Sequence, residues 1–323
     1  GTVCVVGKMR DLILQLSKSS IYSTKPLSVI GFFLSNTQFI GFSRDYENYK
    51  LIFSGQESGV VLEFFYRVLM LFTRNYEYII LIVSLLAMLI KLRFLARYTK
   101  NNQALLVFLI YYASIAVWLL DYTQFRNGLC VSVLMFSMYY LFNKQLGLYY
   151  LAVCLAITAH WSALPFLLLY PYVHSKNIRL LGNIIGIALI LIFLMGYSEG
   201  LILSIREYGL GQKIGNDDHV NLINSLSLTF VAWYILSMMV IESKVRGLYR
   251  YFFSFAILQY TIFVLFSLPV LAFRVLEMYL FLMLTIDIFI NKDKPGLLPL
   301  LGKIIIIIYL AFYYHVLFGV VNG

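Results

Sequence analysis

Long apolar runs separated by short polar punctuation organise this chain. At helical period they predict membrane-crossing helices over 26–42, 76–90, 104–120, 127–142, 146–160, 162–174, 180–197, 222–242, 251–271, 274–290 and 299–319, eleven in all. Several are shorter than the roughly 20 residues of a straight crossing, so tilted or re-entrant helices are expected among them. The turns at 143–147 and 160–163 are especially short. The runs are continuous rather than alternating, which excludes a membrane β-barrel. The most conspicuous polar interruption is Asp121-Tyr-Thr-Gln-Phe-Arg126-Asn-Gly128, set between two apolar runs. An arginine in that position is costly unless something needs it.

Composition agrees with the pattern. Of 323 residues, 61% are hydrophobic and 12% charged, and the mean hydropathy is +0.84. A soluble domain of this size cannot hide so much apolar surface, so the fold class is an all-α polytopic membrane protein. The reading is one transmembrane domain over 26–323, preceded by a mixed segment over 1–25. That segment lacks a long apolar core and a small-residue cleavage site, so it predicts a surface-lying amphipathic stretch and no signal peptide. The net charge of +10 does not indicate a nucleic-acid partner, because the basic residues sit in short clusters between apolar runs. Cys4, Cys130 and Cys154 have no metal-ligand spacing.

The basic clusters set the orientation. Lys91, Arg93, Arg97 and Lys100, then Lys144, then Lys176 and Arg179, then Lys244, Arg246 and Arg250, then Lys292, Lys294 and Lys303 all fall on one side of an eleven-span arrangement. That side, with the N-terminus, is expected to be cytoplasmic. The loops 43–75 and 198–221 then face the other side, with 121–128, His160 and the turn before Arg274.

Charged and titratable residues gather at the outer helix ends: Arg44 with Asp45, Glu63 with Arg67, Arg126, His160 and Arg274. Each has a plain structural alternative. Arg44 could pair locally with Asp45 or Glu47; Glu63 and Arg67, four apart, could only support an interfacial helix; His160 could be a satisfied interfacial histidine. Arg126 and Arg274 stand at the edges of apolar spans, where a cation calls for a fixed anion or partner. Arginine's planar fork suits phosphate oxygens, so several arginines around an outer cavity would hold a lipid pyrophosphate. The chain has no phosphate-binding glycine loop, no zinc spacing and no Asp-x-Asp pair, and no metal or other cofactor is expected.

The ordered pieces resemble a family. Asp45-Tyr46-Glu47-Asn48-Tyr49 with Phe53, Glu63-Phe64-Phe65-Tyr66, Gln124-Phe125-Arg126-Asn127-Gly128, His160-Trp161-Ser162-Ala163, and Arg274 with Tyr279 are similar to elements of the EpsG-like branch of Wzy polysaccharide polymerases. The chain departs from that pattern at Gln38, where the family often has arginine, and at Asn127, where it has glutamine.

The resemblance implies a GT-C-like membrane glycosyltransferase of the bacterial plasma membrane. Its substrate would be oligosaccharide repeat units on undecaprenyl pyrophosphate, joined on the extracytoplasmic face, with membrane lipid around it and a chain-length regulator protein as a partner. In that scheme Arg126 and Arg274, with Arg44, hold the pyrophosphate; Gln124, Glu63 and Tyr49 complete the binding site. His160 or Asp45 takes the proton of the attacking hydroxyl, His160 being favoured because its ordinary pKa lies near operating pH. The alternatives are another lipid-linked sugar transferase or ligase, and a flippase or exporter of lipid-linked oligosaccharide.

Overall fold

A computed structural model of the chain describes residues 50–53, 63–194, 225–265, 268–290 and 297–314. Among these residues every regular element is helical: α1 (Phe64–Phe72), α2 (Tyr76–Tyr98), α3 (Asn102–Tyr111), a π-helical segment (Tyr112–Thr123), α4 (Phe125–Phe142), α5 (Leu146–Ala159), a 3-10 helix (Trp161–Leu168), α6 (Leu169–His174), α7 (Lys176–Leu194), α8 (Ser225–Met238), α9 (Ser243–Leu265), α10 (Pro269–Ile290) and α11 (Leu297–Phe312). Helices α2, α4 and α9 are long and apolar enough to cross a bilayer, and shorter apolar helices accompany them. The expected span 26–42, the segment 1–25 and the loop 198–221 lie outside the described residues.

The expected boundaries shift at three places. Lys91, Arg93 and Arg97 do not sit in a loop; they form the last turns of α2. Likewise Lys244, Arg246 and Arg250 belong to α9. Lysine and arginine are good helix formers, and their stems pack along apolar surface while the heads seek water, so basic residues extend a span instead of ending it. Lys91 goes further and is buried, its Nζ 3.5 Å from the Tyr112 hydroxyl and 5.0 Å from that ring's centroid.

The second shift concerns the polar interruption at 121–128. Backbone turns continue through Asp121 to Thr123 as a π-helix, and the interruption shrinks to Gln124, with φ −113° and ψ 52°. At the entry to this segment the Ser114 hydroxyl donates to the Ile110 carbonyl at 2.7 Å, which competes with the α-helical ladder. The third shift is the run 162–174, which is mostly 3-10 through Leu168 and α-helical from Leu169 to His174. A 3-10 turn rises faster per residue, so the stretch from Trp161 to His174 covers about 25 Å, against about 21 Å as a pure α-helix.

The chain divides into two compact units. The first takes residues from Gly1–Leu164, Leu236–Glu242 and Phe281–Gly323; the second from Pro165–Ile235 and Ser243–Leu280. In the first, α4 is the central helix: 72% of its apolar window is buried, against 44% for α2. It packs on both α2 and α5. The α4–α5 turn closes through Lys144 in the left-handed region, at φ 57°. The α2–α3 turn is fastened to the end of α10, where the Ile288 carbonyl accepts the N–H groups of Lys100 and Asn101 at 3.0 and 3.2 Å.

In the second unit α9 packs against α6 and α7. Arg179 stacks 3.6 Å over the Tyr251 ring and donates to the carbonyl of Val173 at 3.0 Å, capping the end of α6. Gly182 and Gly186 line the close approach of α7 to α9; a Cβ at Gly186 would stand 2.5 Å from a Leu258 methyl. Gly186→Leu is expected to force these helices apart and lower the thermal midpoint in detergent. Gly186→Ala should leave it nearly unchanged, since a helix-propensity gain of about 1 kcal/mol offsets rotation of one leucine end.

Candidate functional site

The site is built from the start of α4. Arg126 lies in its first turn, with its side chain 15% exposed. Its Nη1 donates to Glu63 Oε2 at 2.9 Å, and the Glu63 side chain is 3% exposed. Glu63 precedes α1, and its backbone carbonyl accepts the N–H groups of Tyr66 and Arg67. The carboxylate therefore reaches across to α4, while Arg67 is exposed on α1. A lone cation at this depth is expensive, and a buried carboxylate beside it removes most of that cost.

Aromatic rings form the floor. The Arg126 guanidinium lies 6.0 Å from the Tyr66 ring. Tyr66, Phe53, Tyr76 and Phe125 make one cluster, with Phe53 stacked on Tyr76 at 5.7 Å and edge-on to Tyr66 at 5.8 Å. Phe53 and Tyr66 are fully buried. Each such pair contributes about 0.5–1.5 kcal/mol beyond area burial, so the cluster fixes α1 against α4. Phe53 closes the Asp45–Phe53 stretch, so one end of that stretch reaches Phe125, next to Arg126. Arg44, Asp45 and Tyr49 themselves lie outside the described residues.

His160 sits at the junction of α5 and the 3-10 helix, in extended backbone at φ −162° and ψ 131°. Its N–H closes α5 on the Ala156 carbonyl at 2.9 Å. Its Nδ1 accepts the Ser162 N–H at 3.1 Å, so the imidazole caps the helix that follows. The Ser162 side chain lies beside the Cys130 thiol, one turn along α4 from Arg126. Glu63, Arg126 and the His160–Ser162 turn all belong to the first unit.

Gln124 joins the group through its Oε1, which accepts from Asn127 Nδ2 at 3.2 Å. Asn127 is 2% exposed, and its Oδ1 is a buried acceptor with no hydrogen-bond partner among the described residues. A buried acceptor of that kind is suited to a hydroxyl brought by a ligand. Arg274 is half-buried near the start of α10, in the second unit.

Other buried polar contacts have no counterpart in the sequence pattern. Lys303 stands among the orientation signals there, yet it is buried in α11 and donates to Asp287 Oδ2 of α10 at 2.5 Å. Ser237 donates to the same oxygen at 3.1 Å. One charge of each sign in neighbouring apolar runs was the available signal. In the second unit the Tyr279 hydroxyl donates to Gln259 Oε1 at 3.0 Å.

Comparison with known proteins gives one positive finding. The EpsG family model matches residues 27–322. Neither the curated proteins nor the solved structures contain a match to the chain. The chain belongs to the EpsG family, a family of Wzy-like polysaccharide polymerases, and is a membrane-embedded helical protein of polysaccharide biosynthesis.

Proposed function

We propose that this EpsG-family chain joins oligosaccharide repeat units carried on a polyprenyl pyrophosphate such as undecaprenyl pyrophosphate, at the extracytoplasmic face of the bacterial plasma membrane. The observation that carries the reading is the ion pair of Arg126, in the first turn of α4, with the buried Glu63. Arg126 would supply fork-shaped donors to the pyrophosphate, and Glu63 would hold that fork in one orientation. Fixed donors aimed at charge that develops on a leaving group are typically the largest catalytic contribution.

The Glu63–Arg126 pair is neutral, so it orients a phosphate more than it attracts one. The attraction falls to Arg274 and Arg44 in this scheme. Gln124 and Tyr49 would hydrogen-bond the sugar or phosphate, and Asn127 Oδ1 would accept from a sugar hydroxyl. Asp45 and His160 are the catalytic pair. Transfer breaks the bond between the sugar's anomeric carbon and the pyrophosphate oxygen. It forms a bond from that carbon to an acceptor hydroxyl, whose proton passes to a base, and the lipid pyrophosphate departs as the anion. The scheme uses no metal.

The test is a proteoliposome assay with a purified lipid-pyrophosphate-linked repeat unit. The expected product is a ladder of lipid-linked oligomers. If the input keeps its length and instead changes leaflet, the protein is a flippase and the polymerase reading is wrong.

A further inference from the structure

We infer that His160 acts through its Nε2–H as a hydrogen-bond donor to the departing lipid pyrophosphate, and not as the base that takes the acceptor's proton. The inference rests on the polymerase reading for its substrate and on a separate geometric fact for its chemistry. The Ser162 N–H points at His160 Nδ1, at 3.1 Å. A nitrogen that accepts a backbone N–H has its lone pair engaged and carries no proton. In the neutral ring the proton is therefore on Nε2, and that nitrogen donates. A base needs the reverse arrangement, with an open lone pair at the nitrogen that meets substrate. Protonating Nδ1 would set two N–H groups against each other across 3.1 Å.

The fold makes this arrangement hard to change. The chain leaves α5 at His160 and enters the 3-10 helix at Trp161, so the first N–H groups of the new helix have no partner within it. His160 fills the capping role that serine or asparagine usually takes. Its carbonyl also accepts the Ala163 N–H at 3.1 Å, which ties both ends of the residue to the same turn. Ser162, whose N–H fixes the ring, has its side chain beside Cys130 on α4. His160 and Arg126 are then both hydrogen-bond donors, the chemistry an anionic leaving group needs.

Glutamine and asparagine separate the roles. The His160→Gln change places an amide N–H near the position of Nε2 but leaves no acceptor at the capping position. The His160→Asn change supplies the capping oxygen without the distant donor. His160→Gln is expected to keep at least about a tenth of the wild-type polymerisation rate, while His160→Ala and His160→Asn fall about 100-fold at equal protein level. Equal loss in His160→Gln and His160→Ala would mean that proton acceptance is needed, and would overturn the inference. Wild-type rates in His160→Asn would reduce His160 to a cap and overturn it as well. A measurement independent of activity completes the test. In protein labelled with 15N-histidine, the signal missing from His160→Gln should show an unprotonated Nδ1 and a protonated Nε2. A protonated Nδ1 overturns the assignment whether or not the chain polymerises glycan.

Discussion

Arg126→Lys is expected to lower polymerisation by about 100- to 1,000-fold with the protein still folded and abundant, the range seen when a single fixed donor to a developing oxyanion is removed. Lysine keeps the charge and can still meet Glu63, so the buried carboxylate is not stranded. It loses the planar fork, with which arginine can hold Glu63 and an anion together. Removing the charge outright is a less clean experiment. Arg126→Met leaves Glu63 buried against the aromatic floor without its cation, which costs about 3–5 kcal/mol in comparable buried pairs. Abundance should fall along with activity.

The double variant Glu63→Gln with Arg126→Met removes both charges and should recover abundance while polymerisation stays lost. Polymer length and rate in proteoliposomes are the measurement, with membrane abundance read in parallel. Wild-type rates in the double variant would mean that the pair is only a brace between α1 and α4. Arg67→Lys is the internal control: Arg67 is exposed on α1, and little change is expected.

The fold class was legible because it needs only the count and spacing of apolar residues. An expected orientation followed from lysine and arginine placement, although Lys91 and Lys303 belong to a different category. A lysine inside an apolar run and one just outside it look alike in sequence; only packing separates them. Arg126 was recognised as a residue needing an anion, and Asp121 was its obvious neighbour in sequence. The anion the structure supplies is Glu63, 63 positions away, because the fold brings α1 onto the start of α4. Sequence spacing pointed to Arg67 as the partner of Glu63, and a rule about residues four apart cannot foresee a tertiary contact.

His160 shows the same limit at the scale of one ring. Its residue type names a titratable group near neutrality and nothing more. Which nitrogen bears the proton depends on the backbone of Ser162, and that depends on α5 ending where the 3-10 helix begins. The π-helical segment before Arg126 was also illegible. Hydrophobic period alone does not separate π from α turns, and the signal there is a single hydroxyl, Ser114, donating to the carbonyl of Ile110.

The other large effect is expected at the buried charges of α10 and α11. Lys303 and Asp287 are 8% and 4% exposed at the side chain, and Ser237 of α8 shares the Asp287 oxygen. Lys303→Met strands a carboxylate among apolar helices and should destabilise the protein by about 3–5 kcal/mol. A short aspartate cannot reach water, whereas Lys303 in Asp287→Leu can extend its stem toward the interface. Asp287→Leu should accordingly be the milder change. Replacing both, with leucine at 287 and methionine at 303, fills the space with apolar atoms and should return stability to near the wild-type level or above it. Thermal unfolding in one detergent, with all three variants side by side, decides the matter. If the double variant is as unstable as Lys303→Met, the pair contributes net stability rather than merely compensating for its own burial. If the double variant is stable but no longer polymerises glycan, these charges serve the reaction from within the helices, and α11 is more than a packing partner.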